Sequence, residues 1–99
     1  MTDLKIEFHP GALKEAESAQ KWYAERSRTA SAAFVVELTH AVDKISQSHN
    51  RWPKYQNATR RYYFPRFPFS LVYRVKDEAI QIVAVMHHRR KPGYWTDRK

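Results

Sequence analysis

The run His87-His88-Arg89-Arg90-Lys91-Pro92-Gly93-Tyr94-Trp95 places five titratable or cationic side chains in succession near the end of a 99-residue chain. Imidazoles exchange protons near neutral pH, guanidinium forks hold phosphate oxygens in pairs, and a tyrosine stacks on a base or donates its hydroxyl. Those are the parts needed to cleave RNA through its own 2′-hydroxyl, with His88, Arg90 and Tyr94 as the catalytic set. The plainer alternative is that one histidine satisfies backbone groups at a strand end and the arginines are simply solvated. A second stretch, Arg51 to Arg74, interleaves cations with aromatic rings, as a nucleic-acid groove does. Lys54, Arg60, Arg61, Arg66 and Arg74 from that stretch, with His87, Arg89, Lys91 and Trp95 from the tail, are the residues expected to meet a target or an inhibitor. The competing expectation is that rings such as Tyr62, Phe69 and Tyr73 point inward as core. No Asp or Glu lies between Lys44 and Lys76, so chemistry in this half has no carboxylate base close in sequence.

Other chemistries fall away. The chain has no cysteine, which excludes disulfide scaffolds, thiolate metal sites and thiol catalysis, and suits a reducing cytoplasm. His87 and His88 are adjacent, so a strand sends them to opposite faces, and His9, His40 and His49 show no i, i+4 pairing. No metal is expected. Two glycines, Gly11 and Gly93, cannot build a phosphate loop, and no cofactor is expected either. The longest apolar runs are five residues, far short of the roughly 18 that span a bilayer, and the first residues carry no secretory pattern.

The net charge of +8 is unevenly placed. Residues 1–50 hold six Lys and Arg against seven Asp and Glu, net −1; residues 51–99 hold twelve against three, net +9. Such a field concentrates phosphates and acidic partners around the second half.

The elements that must position these groups can be read from periodicity. Leu4, Ile6 and Phe8 alternate with Lys5 and Glu7 as a strand with one buried face. After His9-Pro10-Gly11, Ala12, Ala16, Ala19 and Tyr23 recur at helical spacing, with Leu13 and Trp22 widening the stripe. Ser27-Arg28-Thr29 opens a second helix carrying Ala30, Phe34, Leu38, Ala41 and Ile45. From Thr59 the pattern turns to strands: Arg60 to Phe64, then Phe69, Leu71, Tyr73 and Val75 inward against Ser70, Val72 and Arg74, then the apolar run Ala79 to Met86, read as a mid-sheet strand covered on both faces. Lys76-Asp77-Glu78 is the hairpin turn. The expected class is α+β: one domain over 1–99, with an N-terminal strand, a two-helix hairpin and a three-stranded antiparallel meander, the helices packed on one face of the sheet.

With the elements in this order, the motifs FPFSLVYRV (67–75) and AIQIVAVMHHRRKPGYW (79–95) resemble those of the RelE/ParE superfamily of type II toxins, over the whole chain. The resemblance implies a toxin neutralised by a cognate acidic antitoxin as a hetero-oligomer, meeting operator DNA only through that complex, with no membrane partner. RelE-like members cut messenger RNA on the ribosome and ParE-like members poison DNA gyrase, so fold alone does not choose. RelE-type nucleases carry an Arg just before the LVY motif, where this chain has Ser70; Tyr94 matches their C-terminal Tyr, and His88 stands nearest their C-terminal Arg. Losing a preorganised donor to developing charge costs about 10²–10³ in rate. The His-His-Arg-Arg run resembles the ParE side more closely. Gyrase inhibition is therefore the first reading, ribosome-dependent RNA cleavage the alternative, and a non-toxic RNA-binding module the third.

Overall fold

The computed structural model describes residues 4–99. Strand β1 (Lys5–Phe8) leads into helices α1 (Pro10–Ala24) and α2 (Arg28–Gln47), followed by β2 (Lys54–Tyr55), β3 (Thr59–Tyr63), β4 (Phe69–Lys76) and β5 (Ala79–His87). The five strands form one sheet in the order β1-β5-β4-β3-β2. β3, β4 and β5 are the expected meander, and β1 lies parallel to β5, pairing Lys5 with Ala79 through Phe8 with Ile82.

α1 starts where the sequence places its breaker. The Nδ1 of His9 accepts the N–H of Gly11, and Pro10 fills a position whose own N–H would have had no partner. Ser27 caps α2 by accepting the N–H of Ala30. Ala12, Ala16 and Ala19 are buried, so α1 lies close on the sheet. The buried stripe is narrower than the sequence pattern: Leu13 and Trp22 are about half exposed, and the Arg26 guanidinium sits 3.7 Å above the Trp22 ring. Phe34, fully buried, is the centre of an aromatic cluster with Tyr23, Phe64, Phe67 and Phe69 at centroid separations of 5.4–5.8 Å. Tyr62, Phe69 and Tyr73 are core, as the inward alternative had it, while Val75 departs from the alternation and is exposed.

Both faces of β5 are covered. Ile80, Ile82 and Val85 face the helices, while Val83, Ala84 and Met86 pack with Val72 and Trp95 on the other side. A bulge makes this possible: Val72 pairs with Ala84 and Tyr73 with Ile82, leaving Val83 as the extra residue, so Val83 and Ala84 both reach the Trp95 side. Trp95 is 2% exposed and stacks on Tyr55 at 5.4 Å. Its expected role as a contact residue is thereby corrected: the indole closes the second core.

β5 outruns β1. Beyond Ile82 its outer edge has no strand beside it, and two side chains take the ladder's place. Glu15 accepts the Val85 N–H at 2.9 Å, and Arg98 donates to the Val83 carbonyl at 2.9 Å. The same guanidinium bonds both Glu15 oxygens, at 3.0 and 3.1 Å. A Cβ on Gly11 would stand 2.6 Å from the Arg98 guanidinium carbon, so glycine there makes room for the bridge. Glu15→Ala leaves a strand N–H unpartnered and the Arg98 guanidinium without its counter-charge, held only by the Val83 carbonyl. It should cost about 1–3 kcal/mol in urea unfolding, with Glu15→Gln losing less.

Two tight turns are built from poorly suited residues. Asn57 and Ala58, with Gln56 before them, join β2 to β3, and Asp77 and Glu78 join β4 to β5, all four of these paired residues having φ of 53–59°. Two successive residues at positive φ favour glycine, and in the β4–β5 hairpin they are the whole two-residue loop. Glu78→Gly removes the left-handed penalty of about 1–2 kcal/mol against a smaller entropic loss. It should therefore raise the thermal midpoint by a few degrees in a calorimetric scan.

Candidate functional site

The strand register sends neighbouring cations to opposite faces. Arg60 shares the Tyr73 face, where its terminal nitrogen donates to the Trp52 carbonyl at 2.6 Å, whereas Arg61 shares the Val72 face. His87 packs edge-on against Phe69 at 4.9 Å, and His88 turns to the other side of the sheet. The two histidines diverge as a strand requires.

At the end of the sheet opposite the Asp77-Glu78 turn, three strands bring Arg61, Tyr63, Ser70 and His88 together. The Arg61 Nε donates to the Ser70 hydroxyl at 3.0 Å, and that hydroxyl is 3.0 Å from the His88 Nε2. The Arg61 guanidinium carbon lies 4.2 Å from the Tyr63 ring centroid and 4.9 Å from that of Tyr55. The His88 ring is tilted against Tyr63 at 5.4 Å. Ser70 is fully buried, so its hydroxyl orients the arginine and the imidazole and is not itself presented as a nucleophile. Tyr63 stands 56% exposed at the rim.

The remaining expected residues are dispersed. Arg66 donates its backbone N–H and its Nε to the buried Glu37 carboxylate, at 2.9 and 3.1 Å, which fastens the β3–β4 connection to α2. Arg74 donates to the Gln81 side chain and to the Arg98 carbonyl. Lys54, Arg89 and Lys91 are exposed. The three residues of the cleavage reading separate: His88 belongs with Arg61 and Ser70, whereas Arg90 lies 3.9 Å over the Tyr94 ring, with Arg98 at 5.2 Å. The Tyr94 hydroxyl is buried without a hydrogen-bond partner among the described residues. Burial, reinforced by the Glu15 carboxylate, pushes it well above the ordinary tyrosine range, so it stays protonated at neutral pH. Sequence reasoning missed Ser70 and Tyr63 as members of this cluster, and the register of β3 on β4 was the signal needed to find them.

Beside this cluster, on the helix side, an open groove runs between α1 and the ends of β4 and β5. Ala19, Trp22, Tyr23 and Phe69 line it, with His87 and Arg90 among the polar groups around it. Among the described residues, no group of three His, Asp or Glu gathers at metal-binding distance, and no helix is long and apolar enough to cross a membrane.

The sequence matches the family model described as the ParE toxin of the type II toxin–antitoxin system parDE, over residues 6–92. The chain belongs to the ParE toxin family. Among solved structures, the toxin is similar to a chain from the chromosomal ParDE toxin–antitoxin system of P. aeruginosa, with a TM-score of 0.75 and 20% identity over 85% of this chain and 95% of that one. At that identity the likeness speaks for the fold. A comparison with curated protein sequences gave no match.

Burial, followed by the Arg61 charge, lowers the pKa of His88 below the ordinary 6.5. Burial, followed by Arg98 and Arg74, does the same for His9, whose Nδ1 must stay unprotonated to cap α1. An unfolded chain takes up these protons near pH 6.5 and the folded toxin resists them. The stability these groups contribute is therefore complete above about pH 6.5 and declines as pH falls toward the lowered folded values. Urea midpoints should drop between pH 7.5 and 5, and the drop should be smaller in a His9→Asn, His88→Asn double variant.

Proposed function

We propose that this toxin arrests growth by inhibiting DNA gyrase, in the cytoplasm, and is neutralised by a cognate acidic antitoxin that also carries the complex to operator DNA. The observation that carries the reading is the ParE family match over residues 6–92. The site chemistry supports it. Ser70 stands buried where RelE-type nucleases carry an arginine, and the cleavage trio is dispersed, so phosphodiester cleavage lacks an assembled acid, base and clamp. We assign the antitoxin to the groove along α1. Trp22 offers a large exposed ring beside Tyr23 and Phe69, and the Arg89 and Arg90 cations border it. An amphipathic segment with acidic flanks complements such a surface.

Tightly controlled expression should stop DNA synthesis first and induce a DNA-damage response, and the purified toxin should block supercoiling by purified gyrase. Immediate arrest of protein synthesis with cuts inside translated codons would instead establish the ribosomal reading; in that case His88→Ala and Tyr94→Phe should abolish the cuts. Binding of the antitoxin should weaken as salt rises. Trp22→Ala should weaken it by about tenfold or more, as loss of a central aromatic anchor does, measured by calorimetric titration.

A further inference from the structure

Arg61 is a cation without a counter-charge. Among the described residues no carboxylate stands within 4 Å of it, and the only hydrogen bond of its guanidinium is from Nε to Ser70. The neighbouring sequence offers none, since no Asp or Glu occurs from Lys44 to Lys76. The guanidinium is nonetheless half-buried and held in place, with Ser70 at its inner edge and its carbon over the Tyr63 and Tyr55 rings. Its terminal nitrogens, with four N–H groups, carry no bond to the described residues. A fixed planar donor fork whose charge is unmatched is the arrangement that takes a phosphate oxygen pair.

The neighbour of that fork is equally specific. Tyr63 has one ring face toward Arg61 and is 56% exposed, so a flat aromatic surface stands open beside the fork. The His88 ring flanks it at 5.4 Å. β5 then delivers Arg89, Arg90 and Lys91 as exposed cations at the same end of the sheet. We propose that Arg61, Tyr63 and His88 form a docking site for one nucleotide unit of a single-stranded nucleic acid, with the phosphodiester on the Arg61 fork and the base stacked on Tyr63. An extended acidic peptide offers carboxylates to the fork but no flat ring to the open face of Tyr63; a duplex keeps its bases stacked on one another. The site binds and does not cut, because the Ser70 hydroxyl is covered and no carboxylate base is at hand. The inference needs neither gyrase nor antitoxin, so it stands or falls apart from the target.

The test uses the purified full chain and fluorescein-labelled twelve-nucleotide oligothymidylate and oligouridylate, followed by anisotropy. Both should bind, with log affinity falling against log salt by about 0.7 for each phosphate engaged. Tyr63→Ala, a surface change whose folding is checked by circular dichroism, should lower the affinity by about 5- to 100-fold, and Tyr63→Phe should restore it. Arg61→Gln should weaken binding and flatten the salt slope. The proposal is overturned if no binding occurs at 50 mM salt or if binding is indifferent to Tyr63→Ala. It is equally overturned if a labelled poly-glutamate peptide or a duplex of equal length binds as tightly with the same dependence on Tyr63.

Discussion

A strand edge with no strand beside it governs much of this molecule. β1 ends at Phe8 because Pro10 begins a helix, yet β5 continues from Ile82 to His87. An uncovered edge in the interior of a sheet would leave peptide groups unpaired and invite pairing with other chains. Glu15 and Arg98 resolve this by acting as a short substitute strand, one acceptor and one donor bonded to each other. Because Arg98 lies in the tail, the same bridge fixes the C-terminal segment, and with it Trp95 on the second face of the sheet. That ion pair is stronger than a surface pair, since both partners are largely shielded from water.

Burying the second face in this way decides which part of it remains available. Trp95 and Tyr55 occupy the middle, and Arg74 is committed to Gln81 and to the tail. What is left open is the end where β3 finishes and β5 departs. There Ser70, too small to fill the space between strands, lets Arg61 and His88 approach the same oxygen. On the helix side, the small alanines that let α1 lie close on the sheet leave the larger Trp22 outside the core. One end of the sheet therefore carries two unlike surfaces, polar and aromatic on one face and apolar with cations on the other. His87 and His88, adjacent in sequence, serve one each.

The local patterns were legible where a residue's neighbours in sequence decide its environment. Alternation in β1 and β4, the alanine stripe of α1, the Ser27 cap and the strand character of Ala79 to Met86 all follow from period and propensity. Pairings between distant segments were not. Periodicity does not say that β1 lies parallel to β5, and the Asn57-Ala58 turn lacks the glycine that announces such hairpins, so the two-residue β2 went unseen. Arg60 and Arg61 read as one basic patch until the register separated them. Arg66 read as a free cation, because Glu37 is 29 residues away along the chain. Trp95, in a polar tail, gave no local sign of burial; only a bulge that turns two consecutive β5 residues the same way creates the surface it covers.

The parallel pairing of residues 5–8 with 79–82, and the bond from Glu15 to Arg98, also set an order in time. A ribosome releases the amino terminus first, and the helical hairpin has contacts enough to form early. β1, however, has no partner until β5 emerges, and the β5 edge stays unsealed until Arg98 has left the exit tunnel. The sheet end that bears Arg61, Tyr63 and His88 needs β3, β4 and β5 together, so it forms only after His88 has emerged. Both surfaces at that end of the sheet are therefore assembled late in synthesis, since each draws on residues between His87 and Arg90.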